Sequence, residues 1–413
     1  MTLRRLDALP ARRSGLIDPD VLRRAGEIVE DVRRRGETAL REHGERHGDL
    51  SHGRELVLDR RRLDRAMEEI SHAELGVLER VAGRIRSFAA EQRSAVSDLD
   101  TAVTGGRAGH RWIPVTSAGA YAPGGRHPLP SSALMTIIPA RVAGVGTVWA
   151  ASPRPTEVTL AAAAVAGADG LLAVGGAQAV AALAFGTVST VCDLIVGPGN
   201  KWVTAAKKHL YGEVGIDGLA GPSEILVIAD DSAHPELVAA DLLAQAEHDT
   251  EAMPVLVTTS SSLLDQVDRA LSRQLADLPT SGTASSALGN GFALVVSTIA
   301  EAASVADQMA PEHLALHLEE PGDIAGSLSR YGSLFVGSGS AEVFADYGVG
   351  PNHVLPTGGG ARFQAGLSVL TFLRSPTWSR LDDPEVLVDD TVHLARLEGL
   401  EAHARAAQLR SAD

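Results

Sequence analysis

The chain has 413 residues, 45% of them hydrophobic and 22% charged, and 37 basic against 52 acidic side chains give a formal net charge of −15. This composition excludes disorder as the default and argues against nucleic acid or an anionic membrane surface as the partner, which leaves a small molecule. The lone cysteine, Cys192, excludes an internal disulfide, and the opening MTLRRLDALPARRSG holds no apolar run of signal-peptide length, so a reducing, cytoplasmic setting is expected.

From about 20 to 92 the apolar residues keep a helical period. Val21, Leu22, Ala25, Ile28, Val29 and Val32 share one face, and Leu78, Val81, Ile85 and Phe88 form a second. At 102–123 the run GHRWIPVTSAGAYAPGG replaces that period and predicts a short β excursion with a boundary near 120. The stretch LAAAAVAGADGLLAVGGAQAVAALAFG, 160–186, resembles a membrane span most, yet Asp169 and a Gly-Gly break it, so it reads as buried helix, strand and helix. Seven strand candidates, TVWAA, LLAV, CDLIV, EILVIA, PVLVTT, FALVV and SLFVG, alternate with helical stretches. Such alternation predicts an α/β protein with parallel sheets covered by helices, in two similar units over 121–225 and 226–367. Residues 1–120 are expected to form a helical region packed with the second unit. Residues 368–413 form a tail that is helical from about 384 to 410.

Chemistry-bearing groups are expected where strands end, since ligands of α/β sheets collect at the carboxyl ends of strands. LLAVGGAQAV puts Gly175, Gly176 and Gln178 after one strand, and CDLIVGPGNKW puts Gly197, Gly199 and Asn200 after the next. Glycines admit close backbone approach and a following helix N-terminus favours anions, although neither stretch has the GxGxxG spacing and each also fits a tight strand-to-helix turn. In AQAEHD, Gln245 and His248 lie three residues apart, so a helix would place both on one face. Ser223 opens AGPSEILVIAD, and adjacent Glu312 and His313 stand in APEHLALHL, where an imidazole could take a proton and a carboxylate could activate water. Asp346, His353, Glu398 and His403 complete the set. Gln245, His248, Asp346 and His403 together offer O, N, O and N donors suited to Zn²⁺. Glu398 and His403, five apart on a predicted helix, are separated by about 140° around it and would share a site only at its rim. Cys192, among apolar neighbours, reads as a small core residue.

Taken in order, AYAPGG, PSSALMTIIPARVAGV, VGGAQAVAALAFGT, VGPGN, GIDGLAGPSEILVIAD, LLAQAEHD, APEHLAL, GPNHVLPTGG and LEGLEAH resemble histidinol dehydrogenases over nearly the whole chain. The resemblance implies two incomplete Rossmann-like units in a homodimer whose C-terminal segment completes the partner's site. It implies one Zn²⁺ held by Gln245, His248, Asp346 and His403, with Glu312 and His313 as the acid/base pair. Ser223, His353 and Glu398 would contact substrate, and Tyr121, Gln178 and Asn200 would line an NAD site. The implied reaction is oxidation of L-histidinol to L-histidine through L-histidinaldehyde, the last steps of histidine biosynthesis. Two alternatives stay open: a related zinc and NAD dehydrogenase of another small alcohol, such as a sulfopropanediol, whose look GGRHPLPSSALMT shares, and a catalytically silent binding protein of the same fold.

Overall fold

The computed structural model describes residues 3–10, 17–50, 53–124 and 128–411. Parts of the opening stretch, the last glycine of AYAPGG and residues 125–127 of GGRHPLPSSALMT lie outside the described residues.

Two six-stranded sheets organise the chain. The first runs Gly215–Ile216, Leu194–Val196, Ser117–Tyr121, Thr147–Ala151, Gly170–Leu172 and Val57–Asp59, all parallel except the last. The second runs Ser333–Val336, His313–His317, Glu224–Ala229, Met253–Thr258, Phe292–Val295 and Arg4–Leu6, parallel throughout. When the five strands that follow one another in chain order are numbered within each unit, both sheets read 5-4-1-2-3. That is the crossover order of a doubly wound sheet, with the chain reversing direction beside the first strand. Each sheet also borrows its sixth strand, beside its third, from the N-terminal region. The expected fold class is thus present, in two units of one topology.

Alanine-rich helices cover the first sheet. Glu157–Ala166 and Gly176–Phe185 are buried on nearly every face because a further helical layer lies over them. That layer is the N-terminal region. Pro19–Arg35, started by the Asp18 cap with proline in its first turn, presses Ala25, Val29 and Val32 against Gly176–Phe185 and Lys201–Leu210. His72–Ser94, opened by a Ser71/Glu74 capping box, buries Leu78, Ala82, Ile85 and Ala89 with Pro130–Ala143 and Glu157–Ala166. The expectation that residues 1–120 pack with the second unit is therefore corrected. The apolar stripes of these helices meet mainly the first unit; the strand Arg4–Leu6 joins the second sheet, with Leu3 2% exposed in its core, and Arg84 on His72–Ser94 donates to the Gly348 carbonyl of the second unit at 2.7 Å.

The unit boundaries also shift. Residue 120 lies inside Ser117–Tyr121 and residue 226 inside Glu224–Ala229, the first and central strand of each unit. The units are joined instead by the linker 217–223. At the far end, Thr377–Leu381 pairs with Gly106–His110, which pairs in turn with Leu99–Val103. Beyond it the tail helices Val388–Leu397 and Glu401–Gln408 pack on each other. Among the described residues no helix is long and apolar enough to cross a membrane.

Candidate active site

The carboxyl end of the first sheet carries Tyr121, the Gly175–Gly176 turn, Gln178 and the loop from Gly197 to Asn200. In the second unit the expectation that chemistry follows strands fails. Ser223 and Glu312 stand immediately before Glu224–Ala229 and His313–His317, and His313 is the first residue of its strand. The acid/base and donor residues thus gather at the amino ends of the second sheet. The helix Pro235–Ala246 runs back along that sheet and delivers Gln245 to the same edge. It stops before His248, which lies in the following turn, its N–H 3.4 Å from the Gln245 carbonyl oxygen. The pair is therefore held by a helix end instead of a continuous helical face.

Around His313 the tautomer follows from the hydrogen bonds. Its Nδ1 lies 3.2 Å from the Glu224 carbonyl oxygen, 3.7 Å from Glu312 Oε2 and 4.0 Å from Glu342 Oε1. These three neighbours are acceptors, and the Gln245 side-chain amide lies 3.1 Å from the same nitrogen, so with the amide oxygen facing it Nδ1 carries the proton and donates to Glu224. Nε2 is left bare, buried and without a hydrogen-bond partner among the described residues. Burial pushes the imidazole down to about 4, against a smaller opposing pull from Asp346, so the ring is neutral at physiological pH. Glu312 Oε2 accepts from the Glu224 N–H at 2.9 Å, but burial dominates and raises this carboxyl well above its ordinary range.

Beside this pair, His248, Glu342 and Asp346 bring ligand atoms within 4.8 Å of one another. His248 Nε2 stands 3.5 Å from Asp346 Oδ2, and that contact raises the imidazole above its usual value. Burial works to raise Asp346, but the His248 contact and the neighbouring histidines carry it below the usual carboxylate range. Glu342, four residues earlier on the helix Glu342–Asp346, is pushed well up by burial and by the Asp346 charge. A proton shared by the two is thus held more tightly at Glu342 than at Asp346. The Gln245 amide nitrogen, turned inward, lies 3.0 and 3.1 Å from Glu342 Oε1 and Oε2 but also 3.1 Å from His313 Nδ1, where it would face the Nδ1–H. With the amide reversed, its oxygen would stand among acceptors, an arrangement that a cation makes favourable. One imidazole nitrogen, carboxylate oxygen and an amide oxygen form a borderline donor set that fits Zn²⁺.

His353 is also drawn in. Its Nδ1 lies 3.1 Å from the Asp346 carbonyl oxygen, and Ser132 Oγ lies 3.5 Å from Nε2. Two residues of the sequence reading are not brought here within one chain: Glu398 and His403 are exposed on the tail. Two others were missed, Glu224 and Glu342. The signal for Glu342 was its place four residues before Asp346, one helical turn away; Glu224 looked like the first residue of a strand and nothing more.

On the first-sheet side, the Gly176 N–H donates to the Tyr121 hydroxyl at 3.1 Å, leaving the phenolic proton for a ligand, and burial pushes that phenol up to about 12. Asn200 spends Oδ1 on capping Lys201–Leu210, with Trp202 and Val203 N–H at 3.0 and 3.3 Å, so its amide NH₂ is the group open to a ligand. A Cβ on Gly175 would lie 2.7 Å from Pro153 and 3.0 Å from the Tyr121 hydroxyl, so the bare backbone keeps this edge open. Such an edge fits a dinucleotide lying across strand ends.

The family model described as histidinol dehydrogenase matches residues 11–411. The chain is similar to the histidinol dehydrogenase of Haloarcula marismortui, with 44% identity over 93% of this chain and 92% of that protein. It is equally similar to that of Thermus thermophilus, at 44% over 97% of each. A crystal structure of histidinol dehydrogenase from Elizabethkingia anophelis superposes with a TM-score of 0.92 at 30% identity, covering 99% of this chain and 98% of that one. With a family match over nearly its whole length and the same architecture in a solved relative, the chain belongs to the histidinol dehydrogenase family.

Proposed function

We propose that the protein is a cytoplasmic, zinc-dependent, NAD-linked dehydrogenase that oxidises L-histidinol to L-histidine through L-histidinaldehyde at the end of histidine biosynthesis. The observation that carries this reading is the bare, buried Nε2 of His313, set beside a preformed N/O donor cluster. Gln245, His248 and Asp346 would hold the zinc, with His403 supplied by a second subunit. When bound, zinc supplies a Lewis-acid anchor that orients the substrate, and NAD⁺ supplies the hydride acceptor for both oxidations.

The residues of the chain do the proton work. His313 Nε2, neutral and desolvated, takes the alcohol proton as the carbinol carbon loses hydride, giving the aldehyde. Glu224 steadies the imidazolium through the Nδ1–H bond already in place. Glu312, with its raised proton affinity, is the stronger base when ionised and draws a proton from the water that adds to the aldehyde. His313 sheds the alcohol proton to solvent, and the hydrate then gives up a hydride and one hydroxyl proton, with His313 again the base, to leave the carboxylic acid, which ionises to the carboxylate. Ser223, His353 and Glu398 would contact the amino alcohol, and Tyr121, Gln178 and Asn200 the dinucleotide. Glu398, like His403, would come from the partner in a homodimer. The exposed leucines of the tail, Leu394 at 59% and Leu397 at 73%, support such docking.

The test is NADH formation by zinc-loaded protein given L-histidinol, with sulfopropanediol as the comparison alcohol. Turnover of histidinol that is lost on chelation and restored by Zn²⁺ is expected. Turnover of sulfopropanediol alone would move the assignment to the related dehydrogenase, and binding of both cofactors with no turnover of either alcohol would point to a silent homologue.

A further inference from the structure

Away from the acid/base pair lies a second buried charge pair with no part in the chemistry above. The Lys207 and Asp217 side chains are only 4% and 5% exposed, and Lys207 Nζ bonds directly to Asp217 Oδ1. A buried ion pair is costly unless its remaining hydrogen-bonding capacity is satisfied. Here both partners spend that capacity on one residue. Asp217 Oδ2 accepts from the Gly197 N–H at 2.7 Å, and Lys207 Nζ donates to the Gly197 carbonyl at 3.1 Å. Gly197 holds φ +115°, and a Cβ there would fall 2.1 Å from the Tyr121 carbonyl oxygen. The pair thus clamps both backbone groups of a glycine in a left-handed conformation, where the loop toward Asn200 leaves its strand.

The same pair reaches the other half of the site. Lys207 belongs to the helix capped by Asn200, and Asp217 begins the linker that ends at Ser223. Thr204 Oγ1, on that helix, donates to the Ala220 carbonyl at 2.9 Å, and Thr357 Oγ1 accepts from the Gly221 N–H. The Ser223 carbonyl in turn accepts from the Met253 N–H at 3.0 Å. The loop from Gly197 to Asn200 and the linker carrying Ser223 are therefore fixed to one another through the buried Lys207–Asp217 pair and the Thr204–Ala220 bond.

We propose that Lys207 and Asp217 are positioning residues that hold the Gly197–Asn200 loop in the conformation that binds the dinucleotide, in register with the linker to Ser223. This rests on the assignment of the first-sheet edge as the NAD site. The pair touches no reacting atom, so its removal acts on cofactor affinity before chemistry. Misplacement of a binding loop by about an ångström costs on the order of a hundredfold.

The experiment compares wild type with Lys207→Met and with the double variant K207M/D217N, in which no unpaired charge stays buried and folding is preserved. NAD⁺ dissociation constants come from calorimetry on the zinc-loaded proteins, alongside zinc content, the KM for L-histidinol and amide hydrogen exchange over residues 197–200. The expected result is at least a tenfold weaker NAD⁺ affinity in both variants and faster exchange over 197–200, with zinc content and histidinol KM unchanged. An NAD⁺ affinity within twofold of wild type in the folded double variant overturns the proposal, as does an equal shift in NAD⁺ affinity and histidinol KM. A wild-type protein that binds no NAD⁺ overturns the cofactor-site assignment itself, which separates that failure from failure of the clamp.

Discussion

At His313 a neutral imidazole has one nitrogen committed to a backbone carbonyl and the other left bare in a dry pocket. Replacing His313 with alanine should lower kcat by about a hundredfold or more, the usual contribution of a positioned base, while zinc content stays at the wild-type level. His248→Ala should do the reverse first, releasing metal, because its Nε2 and Asp346 form the core of the donor set. Metal analysis of the two proteins separates the roles, and a His248→Ala protein with full zinc would contradict the ligand assignment. Cys192 makes the opposite case of a reactive residue type held inert. Burial pushes its thiol up to about 12, so at pH 8 roughly one molecule in ten thousand carries the thiolate. Alkylation by iodoacetamide should be negligible in the folded protein and reach one equivalent in denaturant, as mass spectrometry would show. Residue types and spacing singled out Gln245, His248, Glu312, His313 and Asp346 as candidates, and their roles came only from the resemblance to histidinol dehydrogenases. The spacing of Glu342 four residues before Asp346 was a signal left unread, whereas Glu224 joins the cluster from a strand start that only the fold brings there.

Among the elements, the long and strongly patterned ones were legible. EILVIA and PVLVTT are dominated by β-branched and apolar residues, and the N-terminal helices keep their apolar period across several turns. Ser117–Tyr121 fell within the β excursion read at 102–123 but was not read as the first strand of a sheet, and His313–His317 was not read as a strand at all. SAGAY has no β-branched residue, and HLALH begins and ends in histidine, so local propensity lost to tertiary burial. The borrowed strand Arg4–Leu6 is three residues long, too short for any period to register. Its value lies in Leu3, whose side chain is buried in the second core and whose N–H donates to Asp268 at 3.1 Å. Leu3→Ala should therefore destabilise the protein by about 3 kcal/mol, a core-truncation cost, measurable as a lower urea midpoint at unchanged slope.

For the whole molecule, the two units place the carboxyl end of one sheet near the amino end of the other, so the proposed dinucleotide edge and the proposed acid/base cluster share the linker 217–223. Within one chain this arrangement lacks Glu398 and His403, which stay exposed on a tail bearing Leu394, Leu397, Leu400 and Leu409. If the tail completes the partner's site, chains carrying His313→Ala and chains carrying His403→Ala, each inactive alone, should regain about one quarter of wild-type activity when unfolded together and refolded as mixed dimers. A mixture that stays inactive would show that each chain builds its own site. The measurement that bears most directly on the proposed reaction is the yield of NADH from limiting L-histidinol. Close to two NADH per histidinol, with L-histidine as the product, is the result expected of an aldehyde retained and oxidised in one site. One NADH per histidinol with free aldehyde released, or no NADH at all, would contradict it.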